Sequence, residues 1–376
     1  MNRSPLYLTE ADVARLVTVG DAIAVLEQAF ATWHDVGTTN LTRQRAPLAT
    51  GNFNLMGASY GPKGVYGLKA YFGGKAGARY HTFLYAADRG AMLAMIEADL
   101  FGQLRTGAAS GLATKLLANP AARTLAIIGT GKQARAQALA VCAVRPIMQV
   151  RVFGRTNERR MDFARALEAE LKIETRPAHT AEACVEGADI VVTITKSAEP
   201  VCRSEWLADG VHINAAGANS ADRRELDPAT VLRAAVRATD DRKQSREEAA
   251  EFRDLVGAGR LSWDDVQELG DLVTGKAPGR TSLSAVTLFK SLGTSGWKTS
   301  PSPSWSIGAR LRPAQDEIFS LSRSQTLSDQ HFIPKASNTA LAPRSLSSPG
   351  GAWYQAHLNV ALPSNAAPSA LAIGRY

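Results

Sequence analysis

The sequence predicts an α/β protein with two differently built halves, and three observations carry that prediction. Residues 124–134 read T-L-A-I-I-G-T-G-K-Q-A, a branched apolar run broken by two glycines. This is the composition of a strand buried on both faces that ends in a tight turn. Beyond it, strand-like and helix-like stretches alternate, the signature of a parallel sheet. Ahead of it, several strand-like runs cluster around the turn Asp88-Arg89-Gly90, which suits a mostly antiparallel sheet. A chain of 376 residues is long enough for about two domains with substantial cores.

The glycine turn is the most informative stretch. Gly129 ends the strand, Gly131 follows two residues later, and residues 132–143 read as a helix with Ala134, Ala138, Val141 and Cys142 as its apolar stripe. Strand, glycine turn and helix in that order open a Rossmann-type dinucleotide-binding unit. Gly129 permits the turn, and Gly131 lets the backbone approach a pyrophosphate without a Cβ in the way. Ala134 is small enough for close packing of helix on strand. Unpaired N–H groups at the helix start then face the phosphates. Gly129, Thr130, Gly131, Lys132, Gln133 and Ala134 are therefore candidate cofactor-binding residues.

Taken in order, residues 8–16 and 19–33 predict two helices, the second with Ile23, Val25, Leu26, Ala29, Phe30 and Trp33 as its apolar set and Gly37 as its stop. Residues 53–58, 65–72, 80–86 and 91–97 predict strands. Residues 99–117 read as a long Ala-rich helix leaving that sheet for the nucleotide strand. After the glycine turn, strands are predicted at 150–153, 173–176, 190–195, 212–216 and 234–238, with helices at 158–172 and 181–186. Residues 245–273 read as mostly helical and polar, and 279–293 as a final strand and turn. The domain reading is 1–115, 116–294 and a tail, 295–376. That tail holds fifteen serines and eight of the 17 prolines, so it is expected to bury too little apolar surface to order.

Composition excludes several classes. The formal charge of +8 is spread out, half of it in the tail, so no clustered basic face points to nucleic acid. No run approaches the roughly 20 apolar residues of a membrane span. The start, M-N-R-S-P-L-Y-L-T-E-A-D, has no apolar core before its acidic residues, which predicts no secretory leader. Cys142, Cys184 and Cys202 are scattered, as in a reducing, cytoplasmic setting. The six histidines are far apart in sequence, and no metal is expected. G-A-S-Y-G at 57–61 fits G-x-S-x-G, but no helix is predicted after Ser59, as a nucleophile elbow requires.

The strand after the glycine turn ends in V-F-G-R-T-N-E, without the acid that NAD-specific sites place there. Arg155 is suited to a 2′-phosphate, with Thr156 and Asn157 donating to it, so NADP(H) is favoured over NAD(H). The alternative is a solvated loop with a chance arginine. Thr193, Thr195 and Ser197 end the next strand beside the nicotinamide crevice, or simply satisfy a strand end. In the first half, Lys69 lies in a strand-like run, where a lone ammonium is costly without an anion. Arg105-Thr106 opens the Ala-rich helix, and Arg43 and Arg45 sit in T-R-Q-R-A-P just before the sheet. Converging on one pocket, these cations would suit a carboxylate substrate.

These stretches resemble the ornithine cyclodeaminase and mu-crystallin family. The markers are M-G-A at 56–58, G-L-K at 67–69, A-D-L-F-G-Q-L-R-T-G-A-A-S at 98–110, G-T-G-K-Q-A, G-A-D-I-V-V-T-I-T-K-S, G-A-N-S-A-D-R-R-E-L-D and T-L-F-K-S-L-G at 287–293. The resemblance runs from about residue 8 to 293. It implies a homodimer in which an α+β domain binds substrate and builds the dimer interface, while a Rossmann-type domain presents the nicotinamide. It implies chemistry at the α-carbon of an amino or imino acid by hydride transfer. It also implies carboxylate binding by Arg43, Lys69 and Arg105, with Arg45 as the fallback for Arg43. Thr106 would lie against the nicotinamide or its phosphates, and Lys290-Ser291 would close over the cofactor.

Two departures matter. Where cyclodeaminases of the family carry an aspartate in the loop after Gly217, the chain has Asn219, which cannot take a proton. Cyclodeamination needs proton transfers at amino groups, whereas a cyclic ketimine can bind already protonated and accept hydride at carbon. The expectation is thus an NADPH-dependent reductase of Δ1-pyrroline-2-carboxylate or Δ1-piperideine-2-carboxylate, with Lys69 and Asn219 at the reacting centre. The alternatives are ornithine cyclodeaminase, an alanine-type dehydrogenase, or a non-catalytic NADPH-binding protein. The second departure lies past Gly293, where S-G-W-K-T-S-P-S-P-S-W replaces the family's acidic, Ala-rich helix.

Overall fold

A computed structural model describes residues 4–75 and 77–293, which form two sheets joined by one long helix. Leu6–Leu8 is β1, and Thr9 caps α1 (Glu10–Leu16) in a reciprocal pairing with Asp12. The helix expected from residue 8 therefore starts later, because Leu8 pairs in parallel with Ile96. Thr18 and Asp21 repeat the same cap at α2 (Val19–Ala31), which buries Ile23, Leu26, Ala29 and Phe30.

The first sheet continues through β2 (Thr39–Leu48), β3 (Gly51–Tyr60), β4 (Val65–Gly74), β5 (Gly77–Ala86) and β6 (Met92–Glu97). Its order is β1-β6-β5-β4-β3-β2, antiparallel except for β1 against β6. β2 is the element that hydropathy does not reveal. Its inward-facing residues include Asn40 and Arg43, so burial there is polar and no apolar alternation marks it. Arg43 and Arg45 thus sit within the sheet, on its edge strand, rather than before it.

Helix α3 (Asp99–Leu117) leads out of this sheet. Ala98 cannot cap it, so Glu10 reaches across and accepts from Asp99 N at 2.6 Å and Leu100 N at 2.9 Å. Its small residues have a steric reason. A Cβ on Gly107 would meet Ala136 O at 2.3 Å, so α3 can lie directly on the helix after the glycine turn.

The second sheet is parallel throughout. It is built from β7 (Thr124–Ile128), α4 (Lys132–Val144), β8 (Gln149–Phe153), α5 (Asn157–Leu171), β9 (Glu174–Pro177), α6 (Ala181–Val185), β10 (Ile190–Thr193), β11 (His212–Ala215), α7 (Pro228–Arg233), β12 (Val236–Thr239), α8 (Arg242–Glu248), α9 (Ala250–Gly257), β13 (Val266–Glu268), α10 (Leu269–Val273) and β14 (Thr287–Lys290). The order is β13-β12-β14-β11-β10-β7-β8-β9. The stretch 245–273 is therefore not helical throughout, since β13 interrupts it. Strands β8 and β9 lie to one side of β7 and β10 to the other, so the chain reverses direction at the glycine turn. That reversal opens a crevice at the carboxyl ends of the strands, where such sheets bind ligands.

One apolar cluster spans both halves. Leu26 and Phe30 of α2, Tyr60 of the first sheet, Leu112 and Leu117 of α3, and Phe289 of the second sheet pack together. No helix among the described residues is long and apolar enough to cross a membrane. The Ser/Pro-rich stretch 295–376 lies outside the described residues.

Candidate active site

The glycine turn is built for a phosphate. Gly129 adopts φ +119°, and a Cβ there would meet Ile194 O at 2.5 Å, so only glycine fits. Gly131 caps α4 without any side-chain bond, and a Cβ there would meet nothing within 4 Å. The turn thus leaves open space in front of the uncapped N–H groups of a 13-residue helix, which suits a pyrophosphate. Ala134 is fully buried beneath, as close packing requires. Lys132 is exposed and bonds Asp99 at 2.9 Å, bridging α4 to the start of α3. Thr130 and Gln133 are half-buried beside the turn.

Arg155 is exposed at the end of β8. Thr156 is the N-cap of α5, yet its side chain makes no cap hydrogen bond, which leaves the hydroxyl for other donors and acceptors. Asn157 Oδ1 instead accepts from Arg160 Nη2 at 2.7 Å. Arg160, which no sequence signal singles out, is buried and lies against the Phe153 ring.

Thr193, which ends β10, and Thr195 just beyond it share one acceptor. The buried carboxylate of Glu225 accepts from Thr193 Oγ1 at 3.0 Å and from Thr195 through N at 2.6 Å and Oγ1 at 2.8 Å. It also accepts from Gly217 N at 2.7 Å and Ala218 N at 3.2 Å. One side chain thereby ties the end of β10 to the loop carrying Asn219. Thr193 is fully buried in this clamp. Ser197 caps locally, its hydroxyl accepting from Glu199 N. Burial pushes Glu225 above the usual carboxylate range, while the Lys290 charge and the threonine and glycine donors oppose that shift.

Lys290 and Ser291 also meet acids of the second sheet domain. Lys290 is buried at the end of β14 with Nζ 3.0 Å from Glu251 Oε1, and Ser291 Oγ donates to Asp240 at 3.2 Å. Both side chains help to hold the parallel sheet and its following loop together. Asp240 also accepts from the backbone N–H groups of Leu292 and Gly293.

At the junction of the two halves lies a cationic cluster. Lys69, on β4, is buried with Nζ 5.0 Å from the Tyr71 ring centroid and 4.8 Å from that of Tyr80. Burial, then the charges of Arg105 and Arg43, push its pKa well below that of an ordinary lysine, and Asp99 only partly opposes them. Arg105 is buried on α3, one turn from Gly102, which lies against Lys69 Nζ. Burial and then Arg43 lower its pKa to about 10, with Asp240 acting against both. Thr106 is buried beside it, its hydroxyl returned to Gly102 O at 2.7 Å.

Arg43 belongs to this cluster electrostatically, but its guanidinium is already engaged. Nη1 lies 2.9 Å from Glu248 Oε2 and Nη2 donates to Leu292 O at 3.0 Å. Arg45 reaches the same Glu248 at 2.7 Å, and both arginines donate to Asn219 O. Lys69, Arg105 and Arg43 thus lie within reach of one another's charge, and Arg43 and Arg45 are also tied to the loop and to Glu248. Glu225, Glu248 and Asp240 carry no local sequence signal for Thr193, Arg43 and Ser291, because those partners lie 32, 205 and 51 positions away. Glu225 does stand inside the marker G-A-N-S-A-D-R-R-E-L-D, where Asn219 alone attracts notice.

The profile of the Ornithine cyclodeaminase/mu-crystallin family matches residues 3–296. The chain belongs to this family. A Δ1-pyrroline-2-carboxylate reductase of Bacillus cereus is 38% identical over 205 residues, 54% of this chain and 63% of the relative. The ketimine reductase mu-crystallin of Mus musculus is 33% identical over 212 residues, 56% of this chain and 64% of the relative. The chain thus spans a little under two thirds of each of these relatives. The solved Δ1-pyrroline-2-carboxylate reductase of Thermococcus litoralis, in complex with NADH and L-proline, superposes with a TM-score of 0.74 at 29% identity, covering 77% of this chain and 92% of that one. For this family member the α/β architecture, with its Rossmann-type sheet, agrees with the fold expected from the glycine turn.

A separate group, His34, Glu268 and Asp271, offers three ligand atoms within 4.8 Å. His34 already pairs with Asp271 at 3.0 Å, and Glu268 accepts from Arg242 N.

Proposed function

We propose that the protein reduces a cyclic imino acid of the Δ1-pyrroline-2-carboxylate type to the amino acid, using a reduced nicotinamide. The observation that carries this reading is the buried Lys69–Arg105 pair. It lies towards the carboxyl end of a dinucleotide-type crevice, beside a loop that offers an amide, Asn219, and no aspartate at that position. The bound dinucleotide supplies hydride to the imine carbon. Arg105 holds the substrate carboxylate through charge-assisted hydrogen bonds, and Lys69 supplies the second contact. Tyr71 and Tyr80 wall the site and exclude water from it. Residues 1–115 act as the substrate half and 116–294 as the cofactor half. The nicotinamide cofactor fits the open turn at Gly131, and the relatives' names point the same way.

The finer choice of NADPH rests on Arg155 and the unused hydroxyl of Thr156. Replacing Arg155 with alanine should weaken NADPH by about 1–2 kcal/mol and leave NADH nearly unchanged. Equal losses for both cofactors would remove Arg155 from the 2′-phosphate site. A homodimer through the first sheet is supported by the exposed side chains Leu41, Leu48, Phe53, Leu55 and Tyr66. Light scattering that reports a monomer would end that reading. The activity itself is tested by incubating the protein with NADPH and Δ1-pyrroline-2-carboxylate, and separately with ornithine and NAD. Ammonia release from ornithine without net cofactor turnover would overturn the reductase reading in favour of a cyclodeaminase.

A further inference from the structure

Arg160 is a buried guanidinium of the parallel-sheet half whose hydrogen-bond partners are all neutral. It lies one turn into α5 and folds back under the loop that precedes the helix. Nη1 donates to Gly154 O at 3.0 Å and Nη2 to Asn157 Oδ1 at 2.7 Å. Gly154 is the first residue after β8 and Asn157 the first of α5, so one planar fork ties both ends of the loop that carries Arg155 and Thr156. The Phe153 ring, 5.6 Å from the guanidinium carbon, braces the fork. Gly154 in turn lies against the glycine turn, since a Cβ there would meet Thr130 Oγ1 at 2.7 Å, and Gly129 N donates to Phe153 O at 2.8 Å. Arg160 therefore fixes the loop relative to that turn.

The fork also decides which end of the Asn157 amide faces outward. A carboxamide has an acceptor end and a donor end. Oδ1 is held by the buried guanidinium, so Nδ2 is the end left on the exposed loop, and among the described residues it has no acceptor. Arg155 and Thr156 are its exposed chain neighbours, and the Thr156 hydroxyl is not used as a cap. Among the described residues no carboxylate stands at ion-pair distance from Arg160, so no ion pair cancels its charge behind the loop. Building on the NADPH reading of Arg155 and Thr156, we propose that Arg160 is a positioning residue for cofactor choice. From behind the loop, and without touching the cofactor, it turns Asn157 so that Nδ2 donates to the 2′-phosphate.

The test is equilibrium binding of NADPH and of NADH to the full chain, measured by calorimetry. Arg160→Met keeps an unbranched side chain and loses the fork. It should weaken NADPH about 5- to 10-fold, the worth of one hydrogen bond, and leave NADH within about twofold. In an Asn157→Ala background the same substitution should no longer discriminate between the two cofactors. Equal losses for both cofactors, no loss for either, or a loss selective for NADPH that persists in Asn157→Ala each overturn the proposal. If Arg160→Met does not fold, Asn157→Ala alone decides: a loss confined to NADPH supports the proposal, and an unchanged ratio overturns it. Arg155→Ala, measured alongside, judges the NADPH reading separately. A wild type that binds both cofactors equally ends that reading and the role of Arg160 together. A preference for NADPH that Arg155→Ala loses and Arg160→Met keeps ends the role of Arg160 alone.

Discussion

The buried charges of the two halves are treated in opposite ways. In the parallel sheet, Glu225 receives five hydrogen bonds, and Lys290 sits on Glu251. In the first sheet, Lys69 is also buried, yet among the described residues it meets no carboxylate at ion-pair distance; two tyrosine faces and two like charges surround it, and Asp99 only partly opposes them. A saturated buried charge serves the fold, because every lost hydration bond has a replacement. An unsaturated one is a standing cost that an anionic ligand can relieve. The contrast supports a structural part for Glu225 and the proposed binding part for Lys69.

The strongest way to break this contrast is at Glu225. Glu225→Leu would leave five donors buried without an acceptor, beside the charge of Lys290. It should cost about 3–5 kcal/mol, read as a fall in denaturation midpoint. A loss below about 1 kcal/mol would show that the clamp is not what holds the Thr195 and Gly217 segments together. Arg105→Ala should instead act on binding. It should raise KM about 10- to 150-fold, equivalent to a charge-assisted pair worth about 1.5–3 kcal/mol. An unchanged KM for every imino acid tested would remove Arg105 from the site. Lys69→Met sharpens the comparison because its two effects have opposite signs. Removing a buried ammonium that has no carboxylate partner should stabilise the fold by about 1–2 kcal/mol while sharply lowering turnover. Destabilisation on that substitution would mean that Lys69 is a structural charge after all.

The sequence shows these two treatments unequally well. The glycine turn, the strand before it and the alternation after it are all legible, because a two-faced buried strand and a Cβ-free turn leave local marks at Leu125, Gly129 and Gly131. Lys69 and Arg105 are legible for a related reason, since a cation in an apolar run stands out against its neighbours. Strand β2 is not, because Asn40 and Arg43 face inward where an apolar residue would have marked the period. The partners of the charges are hidden as well. Arg43 meets Glu248 across 205 positions, and Thr193 meets Glu225 across 32, so nothing in local spacing couples them. The acids that Thr193, Lys290 and Ser291 meet are hidden for the same reason. A polar residue at a strand end has the same sequence appearance whether it faces a crevice or an acid beneath it.

The smallest expected effect is a change of stability with pH, and it separates the two halves without any ligand. Lys69 has a folded pKa well below its unfolded value of about 10.4, so between those limits the unfolded chain binds more protons than the folded one. Stability from this group therefore rises as pH is raised through that window. Below the folded pKa the ammonium is buried at full cost, and above the unfolded value the cost is gone. Lys69→Met has no such group, so its advantage over the wild type should be largest at low pH and shrink as pH approaches about 10. Each kcal/mol of that advantage corresponds to about 1–2 °C in Tm for a chain of this size. Comparing the two proteins at each pH cancels every titration they share, including that of Glu225. A Tm gap that stays constant from about pH 6 to about pH 10 would mean that Lys69 keeps an ordinary pKa in the fold, and the contrast with Glu225 would lose its electrostatic basis.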